Sequence, residues 1–177
     1  MSGIYTYTFM KRHVALPLTL TLAASLAGPL LAGKNESLAG TWKLNVEKSK
    51  YSTGAPPKAG TRTIEMQADG EKTTCELTDA DGGQMSFAYS VNYDGKDSPL
   101  TGAGKPTWRE DLFSGADSIS MRRTGSNSFG ASFKKGGQVV MTMREMLSKD
   151  GKVLTITRNG ADAKGQPTAY VLVWEKQ

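Results

Sequence analysis

The sequence is poor in the side chains on which much protein chemistry depends. It holds one cysteine, Cys75, and one histidine, His13. A single cysteine excludes an intramolecular disulfide, even in a compartment that would permit one. It also excludes the paired thiolates of structural metal sites. His13 falls in an N-terminal segment read below as removable, and without it the chain has no imidazole at all. Histidine-based triads and His-rich zinc or iron sites are then excluded. No pair of carboxylates stands out by spacing and no cofactor fingerprint occurs. No catalytic residue, cofactor or metal is therefore assigned, and an enzyme is not expected. A concentrated basic stripe is missing too. The formal net charge is +5, from 22 Lys and Arg against 17 Asp and Glu. The basic residues are spread along the chain, with Arg122-Arg123 and Lys134-Lys135 the densest pairs. Nucleic-acid surfaces need such charge gathered on one face with interleaved aromatics, so no nucleic-acid partner is expected.

The one long apolar run lies near the start. Lys11-Arg12-His13 precedes Val14 to Leu31, which is apolar apart from hydroxyl residues and contains Pro17, Gly28 and Pro29. Small residues follow at Ala27 and Ala32. A basic start, an apolar middle and small residues at the end are the layout of a secretory signal peptide. Two prolines, a glycine and the short length oppose a stable spanning helix. Residues 1–32 are read as the signal peptide, 33–39 as a flexible leader and 40–177 as the folded domain. A periplasmic or secreted monomer without a membrane span in the mature chain is expected. Removing the leader lowers the net charge to +3 and leaves 145 residues, enough for one domain with a single core.

What the chain does have is a rhythm. Segments of alternating apolar and polar residues are punctuated by Asp69-Gly70, Asp81-Gly82-Gly83, Asp94-Gly95, Gly136-Gly137 and Asp150-Gly151. Such pairs favour the positive φ angles of tight hairpins. The clearest segment sets Met85, Phe87, Tyr89, Val91 and Tyr93 against Ser86, Ala88, Ser90 and Asn92, a period of two that signals a strand. About ten strands follow from the same reading, and repeated hairpins of this kind do best by closing into a barrel without exposed edges. The expected strands run over 40–46, 61–68, 73–78, 85–93, 99–102, 118–123, 127–134, 138–148, 152–158 and 168–175. Residues 47–60, with Gly54, Pro56, Pro57 and Gly60, read as an ordered loop. Thr107-Trp108-Arg109-Glu110 fits a helix capping box, with Trp108 and Leu112 on one face and Gly115 as its stop. The fold class is all-β, a single antiparallel up-and-down barrel without a long helical lid.

Gly40-Thr41-Trp42-Lys43-Leu44 on the first strand and Val173-Trp174-Glu175-Lys176 on the last resemble the calycin barrels, the lipocalins and intracellular fatty-acid-binding proteins. Tyr93-Asp94-Gly95-Lys96-Asp97 and Ser148-Lys149-Asp150-Gly151-Lys152 resemble exported bacterial lipocalin-like proteins. The resemblance implies a barrel whose end is built from Gly40, Trp42, Arg158 and Trp174, with Arg158 packed on Trp42. It also implies a small apolar or amphipathic ligand. Two departures stand out. Residues 47–60 are too short and too rich in Pro and Gly for the helical pair that lids a fatty-acid-binding protein. Leu172 and Trp174 occupy the positions where those proteins place an Arg-x-Tyr pair for the ligand carboxylate.

The parity of the strands turns Met66, Phe87, Tyr89, Met121, Arg123, Phe133, Met141 and Leu172 toward a candidate ligand cavity. A packed interior would use the same residues. Of Arg62, Arg123, Arg144 and Arg158, most are expected on the surface. An inward one would mark an anion site or an internal salt bridge, because a buried guanidinium is costly alone. With the carboxylate pair replaced, an uncharged probe is expected to bind better than a carboxylate of the same length, unless Arg123 or another strand arginine faces inward. Two functions remain open. One is an exported small-molecule-binding barrel. The other is a protein-interaction or inhibitor module that uses the rim of a filled barrel.

Overall fold

Alternation along the chain becomes eleven antiparallel strands in a computed structural model, which describes residues 37–104, 112–162 and 164–177. Residues 1–32, read as a signal peptide, and the expected Thr107–Glu110 capping box lie outside the described residues. The strands are β1 (Gly40–Tyr51), β2 (Ala59–Gln67), β3 (Gly70–Thr78), β4 (Gln84–Asn92), β5 (Ser98–Pro99), β6 (Thr101–Ala103), β7 (Ser118–Gly125), β8 (Ser128–Lys135), β9 (Gln138–Leu147), β10 (Val153–Ala161) and β11 (Pro167–Lys176). Each hairpin partner lies beside its neighbour in sequence, and β11 returns to pair with β1. The result is the up-and-down barrel that the turn pattern predicts.

Closure is incomplete at one seam. The hydrogen-bonded order ends in the short strands β5, on β7, and β6, on β4, which together form a strap over the seam between β4 and β7. The sequence predicts one short strand over 99–102. Instead the chain divides there: β5 pairs with β7, β6 pairs with β4, and the buried Leu100 sits between them. Below the strap, an isolated bridge joins Asp94 to Arg122, and the Gly95 amide donates to the Met121 carbonyl at 3.0 Å.

β1 also differs from expectation, running on to Tyr51 rather than stopping at Val46. A register shift against β11 between Asn45 and Lys50 bends it, the usual consequence of extra residues on one strand. Ser49 fills the shift by donating to the Asn45 carbonyl and accepting from the Val173 amide.

The closed end is built on Gly40 and Trp42. Gly40 has φ 124°, which L side chains rarely adopt, and a side chain there would meet Lys176 at 3.2 Å. Trp42 is fully buried, and its indole N–H donates to the Leu38 carbonyl at 3.1 Å. Leu38 is itself in the core, so the last residues before Gly40 pack on the barrel. The cation over the Trp42 ring is Lys176, with Nζ 5.3 Å from the centroid. Arg158, expected there, lies elsewhere: it pairs in register with Met143 and Tyr170 and turns into the barrel among Phe87, Phe113 and Phe133.

Candidate functional site

Two features occupy the barrel interior, a buried polar clamp and a largely apolar cavity. The first is a clamp across the interior. Arg62 on β2 shares its inward face with Ile64, and Glu145 on β9 shares its face with Met143 and Leu147. Both charged side chains are fully buried. Four ladders separate β2 from β9 in the sheet, so the pair spans the interior. The Arg62 Nη2 donates to Glu145 Oε1 at 2.5 Å and to the Tyr89 hydroxyl at 2.8 Å. Glu71 on β3 completes the cluster. Its Oε1 accepts from Thr73 at 2.9 Å and lies 3.7 Å from Arg62, and its Oε2 accepts from the Tyr93 hydroxyl at 2.8 Å.

The electrostatics of this cluster follow from its burial. Burial alone would lower the Arg62 pKa, but Glu145, Tyr89 and Glu71 outweigh it and hold the guanidinium charged. Burial raises Tyr89, whereas the nearby Arg62 lowers it, and burial prevails. Burial pushes Glu145 up to about 7, against Arg62 and Arg158, which lower it, and with Glu71, which adds to the rise. Arg62 Nε and Nη1 and Glu145 Oε2 have no hydrogen-bond partner among the described residues.

The second feature is a cavity of about 470 Å³ at the opposite end, within the size range of small-molecule sites. Its walls are apolar: Leu44, Leu77, Met85, Phe87, Met141, Leu172 and Trp174. Its mouth is formed by the β1–β2 loop, the β3–β4 turn, the segment before β7 and the β10–β11 turn, represented by Pro57, Asp79, Leu112 and Asp162. The mouth residues hold themselves in place. Asp79 Oδ1 accepts the amides of Asp81 and Gly83, and Asp162 Oδ1 accepts those of Lys164 and Gln166. Ser114, with φ 53°, donates to the Ala161 carbonyl at 2.5 Å.

Arg158 is the charged side chain that reaches this cavity from within the barrel. It is 4% exposed and lies three residues inside the end of β10. Its Cζ stands 4.8 Å from the Phe113 ring centroid and 5.9 Å from that of Phe87. The rings hold one another, with Phe113 centred 4.7 Å from Phe87 and 4.9 Å from Phe133. Cation–π contact offsets part of the cost of burying the guanidinium. It does not replace an anion. Arg158 makes no ion pair among the described residues, and its Nε has no hydrogen-bond partner. Burial lowers its pKa and the nearby Arg62 lowers it further. The group is a buried cation at a largely apolar cavity, within the field of Glu145 but in ion-pair contact with no carboxylate among the described residues.

Of the residues expected to line a cavity, Phe87, Met141 and Leu172 do so. Tyr89 belongs to the clamp. Met121 and Phe133 are core residues, and Met66 packs half-buried against the core. Arg123 does not face inward: it donates to the Ser126 carbonyl and stacks on Phe129 at the surface. Trp174 lines the cavity as well as packing opposite Leu44. Surface placement holds for Arg123 and Arg144 and fails for Arg62 and Arg158. The premise that the cavity lacks a guanidinium fails with it, so the expected advantage of an uncharged probe is withdrawn. Cys75 also borders the cavity, but burial pushes its thiol up to about 12 despite Arg62 and Arg158. A thiol so rarely ionised is a wall rather than a nucleophile.

No protein-family model matches the chain, and no curated protein matches it. Among solved structures, it is similar to zebrafish ileal bile acid-binding protein complexed with cholic acid. That match has 14% identity and a TM-score of 0.46, and covers 80% of this chain and 99% of that one. It is also similar to Rv2717c from M. tuberculosis, with 15% identity and a TM-score of 0.46, over 83% of this chain and 99% of that one.

Proposed function

We propose that the barrel binds a small amphipathic anion without covalent chemistry, its apolar body in the cavity and its charged head on Arg158. The observation that carries this reading is Arg158, nearly buried and without an ion pair among the described residues, at an apolar cavity of about 470 Å³. A cation kept in such a place costs stability unless something compensates it. An anionic ligand supplies the missing charge, and burial of its apolar body supplies affinity at about 25 cal/mol per Å². The rim-module reading finds less support. Among the described residues the exposed large apolar side chains are Val139 and Met146, near opposite ends of β9, which do not form a patch.

Titrating the protein with decane sulfonate and with decanol tests the reading. Both bury the same chain, so the head group decides. The sulfonate is expected to bind more tightly, and Arg158→Gln is expected to weaken it about ten- to a hundredfold, the loss of a charge-assisted contact. Decanol should be little affected. Equal affinity of the wild-type protein for both probes would reject Arg158 as the anchor.

The place of action belongs to the same proposal. The basic start, apolar middle and small-residue end of residues 1–32 support export to the periplasm or beyond. N-terminal sequencing of exported protein is expected to begin at Gly28 or Gly33. Recovery of the full-length chain from the membrane fraction would oppose it.

A further inference from the structure

The clamp and the cavity are electrically adjacent. Arg158 on β10 stands opposite Met143 on β9, and Glu145 is two residues along the same inward face of β9. Diagonal neighbours of this kind on adjacent antiparallel strands lie about 7–8 Å apart. The groups facing Glu145 are Arg62 from β2, Glu71 from β3, Tyr89 from β4, Tyr93 just beyond β4 and Arg158 from β10. Its own neighbours Arg144 and Met146 point to solvent. The buried charged groups are Arg62 and Arg158 against Glu71, Glu145 and, at the cavity mouth, Asp79. An anion arriving at Arg158 adds a further negative group and cancels part of the field that keeps Glu145 ionised. Glu145 can take a proton without losing a bond, because its Oε2 has no partner while its Oε1 keeps Arg62.

We infer that ligand binding at Arg158 is coupled to protonation of Glu145, so that the anion and a proton enter the barrel together. The inference rests on the anion-binding reading above. Burial has already pushed Glu145 up to about 7. Its protonation therefore falls in a range that an exported protein meets. The sign follows by linkage: if the anion raises the Glu145 pKa, the proton strengthens the anion by the same factor. Affinity is highest and flat where Glu145 is protonated in both states. It then declines as pH rises above about 7 until the carboxyl of the complex is also ionised. The barrel would thus load more readily in an acidic medium and release more readily in an alkaline one.

Decane sulfonate is the right probe, because its own head stays ionised throughout. Its affinity for the wild-type protein is expected to fall about three- to tenfold between about pH 6 and about pH 9. Calorimetry in two buffers of different protonation heat should show uptake of a fraction of one proton per ligand near neutral pH. Decanol should show neither effect. Glu145→Gln, which imitates the protonated carboxyl, should bind the sulfonate with a flat pH profile and no uptake. Infrared difference spectra of the wild-type protein give a readout that needs no variant: adding sulfonate should raise a protonated-carboxyl band. Sulfonate binding with a flat profile and no uptake would overturn the coupling while leaving the anion site standing. Uptake that persists in Glu145→Gln would overturn the assignment to Glu145. Failure of the sulfonate to bind at any pH would overturn the coupling and the anion-binding reading together.

Discussion

Arg62→Met is expected to destabilise the fold by roughly 3–5 kcal/mol at neutral pH, the cost of breaking a buried ion pair from one side. Arg62 is fully buried and holds Glu145 and Tyr89 directly, with Glu71 at 3.7 Å. Methionine fills much of the same space but offers no donor. Glu145 then loses its hydrogen bond to Arg62 and is left with a fully buried carboxyl. The defect should depend on pH. Removing Arg62 removes the largest cause that lowers the Glu145 pKa, so its folded value rises further above the ordinary 4.5. A carboxyl with a raised folded pKa contributes most below its unfolded value and loses that contribution as pH rises through the folded one. Urea unfolding should therefore show a small gap between variant and wild type at strongly acidic pH and a wide gap at neutral pH. Arg62→Met with Glu145→Met should recover most of the loss, because two apolar side chains of similar volume need no pairing. A negligible midpoint shift in the single variant would mean that the clamp does not hold β2 against β9.

Strand parity made most of this legible in the sequence, and the charged residues were where it went unused. The same alternation that turns Ile64, Met143 and Ile156 inward also turns Arg62, Glu145 and Arg158 inward. A period of two constrains side chains whatever their polarity. Charged residues are ordinarily placed outside because burial is costly, and that expectation competes with parity. Here the competition is settled by partners on strands far apart in sequence, which no local pattern shows. Glu71 and Glu145 are separated by 74 positions and meet only through Arg62. Arg123 failed for a related reason. Its strand ends in a register irregularity between Arg123 and Gly125, and at an irregular end parity stops being a guide.

The barrel was easier to read than its seam. The turn dipeptides and alternating segments predict a meander, and each long hairpin forms as predicted. The strap does not follow from local signals. Ser98–Pro99 and Thr101–Ala103 read as one short segment, but Leu100 is drawn into the core and the two halves pair with different strands. That division is made by the space between β4 and β7, a property of the whole sheet. The cavity wall was partly legible, since Phe87, Met141 and Leu172 reach it. Its mouth was not, because it is built from loops whose positions depend on the ends of strands from both halves of the chain.

Trp42→Ala is expected to cost roughly 3–5 kcal/mol, the range for truncating a large buried aromatic. The ring is fully buried at the closed end, where Arg62 and Leu44 are its neighbours in the sheet and on the strand. Lys176 covers one side of the ring, and the indole N–H is satisfied by the Leu38 carbonyl. Truncation removes the apolar contacts, leaves a void beside a charged cluster and strands the Leu38 carbonyl. Trp42→Phe separates these losses: it keeps most of the packing and gives up the hydrogen bond, at about 1 kcal/mol. The ordering Ala well below Phe, with Phe slightly below wild type, is expected in urea unfolding. Ligand affinity should respond differently from stability. Trp42 is not among the cavity-lining residues, so folded Trp42→Ala protein should bind decane sulfonate within about threefold of wild type, less than half a tenfold step in free energy. A stability loss below about 1 kcal/mol would show that the end of the barrel does not depend on the ring. A large affinity loss in protein that remains folded would show that the closed end and the cavity form one mechanical unit, and would reject the separation of a structural end from a binding end.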